Sequence, residues 1–267
     1  MTQAESTNER KPSLEISAPP SDSLKGRIIF VTGATGRLGR VASIACARHG
    51  ATVILSDKTL SGLEKLYDEI LTHGYPEPAL YPIDFAGATE RDYHQLERTI
   101  EREFGVLHGL LHSAAAFAPL GPVSDIQVRD WSTVLQVNLS APFLLTRVLL
   151  GLLQKSADGS ILFTSDSSAR EGKAYWGIYG ISKIAIEGFA QILASEFESA
   201  SKIRVNTLIP GPIDSPIRNM SFPAECPHRR NHAELLQNLY IYFMGPASRN
   251  QTGRAFHAEN YIERSDA

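Results

Sequence analysis

The sequence predicts an α/β fold, a single doubly wound domain on a central parallel sheet of about seven strands. Three observations point to it. From Lys25 onward, short β-rich runs alternate with longer segments of helical period. The short runs are apolar on both faces, as strands covered by helices on each side must be. The first run also breaks into a glycine-rich turn just before the first helical segment.

The first strand, residues 27–32, ends at Gly33, and a helix over 38–49 is closed by Gly50. A second strand at 51–55 leads to a helix over 60–73 that stops at Gly74. A third strand at 79–83 precedes a helix near 89–104, ended by Gly105, and 106–113 is the fourth strand. A long helix near 130–153 carries Pro142 in its interior. The fifth strand at 160–164, a helix over 179–197 and the sixth strand at 203–209 follow. A Pro-rich stretch, 210–227, reads as a loop over a site. A last helix, about 233–243, leads to a short strand at 254–257. No linker interrupts the alternation, so one domain is expected.

Composition narrows the function classes. The chain has 267 residues, 43% hydrophobic and 21% charged, which excludes a collagen-like, coiled-coil or wholly disordered protein. A net charge of -3 gives no basic surplus for nucleic acid or an acidic membrane surface. Cys46 and Cys226 are too few for a disulfide framework or a metal cluster and read as ordinary thiols. No apolar run approaches the roughly 20 residues that span a bilayer, so no membrane association is expected. Residues 1–22 are polar, with Pro12, Pro19 and Pro20, and lack the apolar core of a signal peptide. The expected organisation is a disordered leader at 1–24, a nucleotide-binding domain at 25–260 with a substrate loop near 212–232, and a tail at 261–267. The expected location is the cytoplasm.

The turn Thr32-Gly33-Ala34-Thr35-Gly36-Arg37-Leu38-Gly39 joins the first strand to the first helix. Glycines there let the backbone approach a pyrophosphate, and the helix N-terminus favours its charge. Asp57 follows the second strand, where a carboxylate accepts both hydroxyls of an adenosine ribose and repels a 2′-phosphate. That favours NAD(H). Lys58 and Arg37 point the other way, since each can pair with a 2′-phosphate, and NADP(H) stays open. Asp57 is otherwise a turn or capping acid. Asp84-Phe85 ends the third strand, and Asp84 either reaches an adenine amine or forms a turn. Tyr179 and Lys183 lie four apart on a helix and share a face. A lysine beside a phenol lowers its pKa and makes it a usable acid or base for a carbonyl or alcohol.

In that order, Thr32 to Gly39, Asp84, Asn138 in Val137-Asn138-Leu139, Tyr179 with Lys183, and Pro210-Gly211-Pro212-Ile213 resemble the classical short-chain dehydrogenase/reductase family. Segments such as Leu162-Phe163-Thr164-Ser165 and Phe243-Met244-Gly245 look most like its bacterial YciK-type oxidoreductases. The resemblance implies a Rossmann fold and an NAD(P)-dependent oxidoreductase that transfers hydride to or from a small alcohol or ketone. Tyr179 would be the proton donor or acceptor, and Lys183 would hold the nicotinamide ribose. Asn138 would kink its helix and hold a relay water, while the backbone of Ile213 would meet the carboxamide. A homodimer or homotetramer, built on the helices near 130–153 and 179–197, is also implied.

Three positions depart from the family pattern. The family's catalytic serine lies at the position that is Asp166 here, flanked by Ser165 and Ser167. A hydroxyl donates to the substrate oxygen, whereas an ionised carboxylate accepts and repels the developing alkoxide. Asp166 as a neutral buried acid, a register shift that brings in Ser165 or Ser167, or loss of the usual reaction are the alternatives. The last would leave a catalytically impaired, dinucleotide-binding or scaffold homologue. Ser113-Ala114-Ala115 stands where the family has Asn-Ala-Gly, and Arg37 stands at its second glycine.

Other residues read as structural first. His108 and His112 share one face of a strand with no acid or thiol to complete a metal set. Residues 226–230 form a basic patch that is either solvated or attracts an acidic substrate. Phe117, Tyr175, Trp176 and Phe222 make either a substrate wall or core packing.

Overall fold

The protein is described by a computed structural model that covers residues 16, 18–170, 172–198, 202–226 and 230–262. Seven strands form one parallel sheet: β1 Ile28–Thr32, β2 Thr52–Asp57, β3 Ala79–Pro82, β4 Gly109–His112, β5 Gly159–Thr164, β6 Ile203–Ile209 and β7 Arg254–His257. Their order is β3-β2-β1-β4-β5-β6-β7. The strand order reverses beside β1, where its neighbours β2 and β4 are fed by crossovers running in opposite directions.

Successive side chains of a strand face opposite sides, and here both sides are covered. Ile29, Val31, Val53 and Leu55 pack on one side against α1 (Arg37–Arg48), α2 (Leu60–Thr72) and a later helix, Gln237–Met244. Phe30, Ile54, Leu110 and Phe163 pack on the other against α3 (Glu90–Phe104) and two helices that follow β4 and β5. That is why the strands read as continuous apolar runs. A capping box between Thr89 and Asp92 starts α3.

The long helix expected at 130–153 is three pieces: α4 (Val128–Leu135), a π-helical turn (Gln136–Ser140) and α5 (Ala141–Gln154). Pro142 therefore sits in the first turn of α5, not mid-helix. It has no N–H to give an i−4 carbonyl, and the wider π turn before it absorbs the break. By length and composition, Val128–Gln154 is apolar enough to cross a membrane, which corrects the expectation that no such segment exists. In the fold it packs on α3 and the sheet, with Leu145, Leu149 and Leu153 in the core.

After β5 come a short turn, α6 (Ser167–Arg170), and the long α7 (Gly177–Phe197). The stretch 210–227, read as a loop, contains a further helix, α8 (Pro216–Ser221). Ser215 caps it by accepting from the Arg218 N–H at 3.2 Å, and Pro216 opens it. Gln237–Met244 is α9, entered through a single-turn helix, Ala233–Leu236.

The ends of the domain also shift. Leu24, assigned to the leader, is fully buried, and its N–H bonds the His49 carbonyl at 3.0 Å. Ile16, Tyr261 and Ile262 pack on the same core. The folded unit thus begins before 25 and reaches past 260, because apolar residues there fill the layer over α1 and α9. The remaining leader and tail positions (1–15, 17 and 263–267) lie outside the described residues, as do 227–229 of the basic patch.

Candidate active site

Because all seven strands are parallel, their C-terminal ends share one edge of the sheet, and loops there line the crevice. A cavity of about 400 Å³ runs along this edge. It is lined by Gly33, Gly36, Arg37 and Leu38 after β1, Asp57 and Lys58 after β2, and Asp84 and Phe85 after β3. Ser113, Ala114 and Ala115 join after β4, Ser165 and Asp166 after β5, Tyr179 and Lys183 from α7, and Pro210, Gly211 and Ile213 after β6.

Thr35, Gly39 and Asn138 are not on its wall; they shape it. A Cβ on Gly33 would lie 2.7 Å from the Ala114 backbone, and Gly33 has φ +64°. A Cβ on Gly39 would lie 2.1 Å from the Gly33 carbonyl oxygen. The turn therefore closes onto the β4 loop and its own helix with no room for side chains. Thr32 Oγ1 accepts from the N–H groups of Ser113 and Ala114 at 3.0 and 3.1 Å, tying the same two loops. Ala115 lies outside the left-handed region, so a methyl there in place of the family's glycine is unstrained.

Asp57 faces inward to the turn. Its Oδ2 accepts from Thr35 N–H at 3.1 Å and Thr35 Oγ1 at 2.7 Å, and its Oδ1 accepts from Lys58 N–H at 2.7 Å. A ribose diol would compete with three donors for it. Arg37 is close by, with a buried Nε that has no hydrogen-bond partner and an Nη2 3.7 Å from Glu234. Asp84 accepts from Ala86 N–H at 3.0 Å, the geometry of a turn-forming Asp. The glycine cradle, the clustered N–H groups and the orphaned Arg37 Nε fit a dinucleotide.

At the other end, the Tyr179 hydroxyl donates to Asp166 Oδ2 at 3.3 Å. Burial first, then the Asp166 charge and hydrogen bond, push the Tyr179 pKa well above 10. The net shift is thus upward, opposite to the depression expected from the Lys183 ammonium. The Lys183 Nζ sits 5.6 Å from the Tyr179 ring centroid and donates to the Thr164 carbonyl at 2.9 Å. Burial lowers the Lys183 pKa to about 8 against the raising effect of Asp166 and Glu187.

Ser165, on the cavity wall, turns its hydroxyl toward α7. Its hydroxyl donates to Glu187 Oε1 at 2.5 Å, and Glu187 pairs with Arg170 at 2.8 Å. Asn138, in the π turn, is buried and accepts from Ala116 N–H at 2.7 Å while its amide donates to Ser182 Oγ at 3.0 Å. The Ile213 N–H donates to the Gly211 carbonyl at 2.9 Å. Phe117 meets Tyr179 edge-on at 5.0 Å, and Trp176 lies 6.1 Å from it and 5.6 Å from Phe222. These rings buttress Tyr179 from behind.

Sequence reasoning missed Thr164 and Val137 as wall residues; it set a substrate loop near 212–232 over the site but missed that Ser215, Ile217, Arg218 and Ser221 of that stretch reach the wall from a helix, α8. A polar residue ending a buried strand was a signal for Thr164, and the Ser-Pro pair at 215–216 was one for a helix start. His112, by contrast, is structural. It stacks on Phe163, bonds Thr146 Oγ1 at 2.9 Å, and burial lowers its pKa to about 3.

Comparison with known proteins agrees with this geometry. The family model described as short chain dehydrogenase matches residues 27–225. The uncharacterized oxidoreductase YciK of Escherichia coli K12 is 38% identical over 90% of this chain and 95% of its own. A Pseudomonas syringae structure described as a short chain dehydrogenase is 40% identical, with a TM-score of 0.87, over 92% of this chain and 99% of its own. A Shigella flexneri structure, described likewise and complexed with NADP, is 38% identical, with a TM-score of 0.87, over 90% of this chain and 100% of its own. With the family model matching residues 27–225 and these relatives 38–40% identical over nine-tenths of its length, the chain belongs to the short-chain dehydrogenase family.

Proposed function

We propose that the protein is an NADP(H)-dependent oxidoreductase that transfers hydride at a substrate carbon of the alcohol/carbonyl class, working in the reductive direction. The observation that carries it is one cavity holding both the Gly33–Gly39 turn and the Tyr179 hydroxyl. NADP(H) replaces the initial preference for NAD(H) for two reasons. Asp57 is engaged by Thr35 and Lys58, and a relative is complexed with NADP. Arg37 and Lys58 would hold the 2′-phosphate.

A bound reduced nicotinamide supplies the hydride. Gly33, Gly36 and Leu38 would receive the pyrophosphate, and Lys183 the nicotinamide ribose. Tyr179 gives its phenolic proton to the substrate heteroatom, and Lys183, held by Thr164, keeps the helix face aligned. Asn138 fixes α7 to the β4 loop through Ser182 and Ala116. An impaired homologue is the second reading, favoured by the Tyr179–Asp166 contact, which opposes a phenolate. Exposed Phe143, Ile184 and Ile192 on α5 and α7 support a homo-oligomer, which light scattering on the purified chain would test.

The deciding experiment is NADPH and NADH titration by cofactor fluorescence, followed by NADPH oxidation over a carbonyl panel for wild type and Tyr179→Phe. The expected result is NADPH binding in both proteins and turnover reduced by about 100-fold or more in the variant. Binding without turnover on any substrate favours the second reading.

A further inference from the structure

Among the described residues, four cationic side chains line the cavity: Arg37, Lys58, Lys183 and Arg218. The first three have tasks in the cofactor reading, at the 2′-phosphate and the nicotinamide ribose. Arg218, from α8, has none. It is held in place, however. Its Nε and Nη2 donate to the two oxygens of Glu225 at 2.7 and 2.5 Å, and its guanidinium lies 3.7 Å from the centre of the Phe222 ring. Phe222 rests in turn on Trp176 at 5.6 Å. Arg230, a buried side chain, fixes Glu225 by donating from Nε to Oε2 at 3.0 Å. Asp214, Asn219 and the carbonyls of Phe222 and Glu225 hold Arg230 itself. Bonds and charge from Arg218 first, and from Arg230 as well, keep the Glu225 pKa below its ordinary 4.5, so this anchor stays ionised. A guanidinium has five N–H donors in a planar fork. The Nε–Nη2 edge of Arg218 is spent on Glu225. The Nη1–Nη2 edge, a second pair of parallel N–H groups, has no partner among the described residues.

We propose that the substrate is an oxo acid, a carbonyl compound whose carboxylate is received end-on by Arg218 while its carbonyl is reduced beside Tyr179. This rests on the hydride-transfer reading above and names the substrate class of that same site. The two free N–H groups match the two oxygens of a carboxylate. Glu225, Arg230 and Phe222 already fix the guanidinium, so little rotamer freedom remains to be lost when a substrate binds. The chain as a whole, with a net charge of -3, offers an anion no general attraction, so selection for a carboxylate falls to a local cation. In the reaction, hydride passes with its electron pair from the reduced nicotinamide to the carbonyl carbon. The C=O π pair moves onto oxygen, which takes the Tyr179 proton. Oxo acid and reduced nicotinamide become hydroxy acid and oxidised nicotinamide, and water returns a proton to the phenolate. The carboxylate takes no part in these steps, so Arg218 sets specificity. Arg230, in the basic stretch 226–230 of the sequence, serves the acidic substrate indirectly by holding Glu225.

The test uses oxo acids of increasing length, 4-oxopentanoate, 5-oxohexanoate and 6-oxoheptanoate, each against its methyl ester, which has the same carbonyl and no charge. Each probe is titrated calorimetrically into protein loaded with NADP⁺ and assayed by NADPH oxidation, for wild type, Arg218→Gln and Arg218→Lys. Wild type is expected to favour the best acid over its ester by about 10-fold or more, in affinity and in kcat/KM. Arg218→Gln is expected to lose that preference, and Arg218→Lys, a point charge without the fork, to keep only part of it. A thermal melt of each variant checks folding, and the wild-type ratio of acid to ester stands without the variants. Equal or weaker use of the acids by wild type, or no binding of either series while NADPH binds, overturns the oxo-acid assignment and leaves the oxidoreductase reading intact. So does a preference kept in full by folded Arg218→Gln. A loss of NADPH affinity of about 10-fold or more in that variant assigns the arginine to the cofactor and also overturns the proposal. Absence of NADPH binding to wild type overturns both readings.

Discussion

At the level of single residues, the site turns on how one carboxylate changes its neighbours. With burial and Asp166 holding the Tyr179 phenol well above its ordinary pKa, the hydroxyl keeps its proton throughout the neutral range, so in the proposed reaction it starts as an acid. Reduction is therefore expected to be flat in rate from about pH 6 to 8, while oxidation rises with pH across the whole accessible range. Steady-state profiles in both directions check this, and an oxidation rate that levels off near neutrality would contradict the assigned phenol environment. Lys183 gives a second prediction, in stability. Its pKa falls from the ordinary 10.5 to about 8 on burial, so between those values the unfolded chain holds a proton that the folded chain has released. Stability contributed at this position accordingly rises with pH from about 8 to 10.5 and is level below about 8. Urea unfolding of wild type and Lys183→Met at pH 7 and pH 10 should show the difference moving in favour of wild type at the higher pH.

At the level of elements, the turn between β1 and α1 is the most constrained piece of chain. Gly33 is left-handed and its missing Cβ is where the Ala114 backbone passes. Gly33→Ala is expected to cost at least about 2 kcal/mol, through left-handed strain plus the forced separation of the β1 and β4 loops. NADPH affinity should fall by about 10-fold or more as the N–H cradle opens; a melt and a cofactor titration read the two effects. This turn was legible in the sequence because glycines have few reasons to cluster at a strand–helix junction, and Tyr179 and Lys183 were legible because helical spacing puts them on one face. The break at Gln136–Ser140 was legible only through the family resemblance, which implied a kink at Asn138; periodicity alone ran one helix through it, because the bonds of Asn138 to Ala116 and Ser182 that accompany the π turn are contacts distant in sequence. Helix α8 was hidden for its own reason. Prolines suggest loop, yet Pro216 sits at the one helical position where its missing N–H is harmless. The direction Asp57 faces was equally hidden, because a carboxylate after β2 serves a ribose or the turn equally well until the position of Thr35 is known.

Across the whole molecule, the two edges of the sheet divide the work. The residues proposed to hold cofactor and substrate follow the C-terminal ends of the strands, while a buried ion cluster lies at the N-terminal ends. There Arg27 Nη1 donates to Asp158 Oδ2 at 2.9 Å, Arg204 Nη1 donates to Asp158 Oδ1, and the Arg204 Nη2 donates to the carbonyls of Phe243 and Gly245 at 3.1 and 2.6 Å. Asp158 thereby joins the entrances of β1, β5 and β6 to the end of α9. Burial alone would raise its pKa, but Arg204 and Arg27 outweigh burial and hold it below the ordinary 3.8. A depressed carboxylate contributes stability that is present above its unfolded pKa and is lost as the pH falls through the folded value. Asp158→Ala strands two buried guanidinium groups and is expected to cost about 3–5 kcal/mol at pH 7. The cost should shrink when the comparison is made below pH 3.8, where the wild-type carboxylate begins to lose its charge. NADPH affinity of the folded variant should stay within about twofold of wild type, since no Asp158 contact reaches the opposite edge. Urea unfolding at the two pH values with a cofactor titration at pH 7 measures all three quantities. A stability loss that grew on acidification would assign the cluster the wrong sign, and a matching loss of NADPH affinity would mean that the sheet transmits strain from one edge to the other.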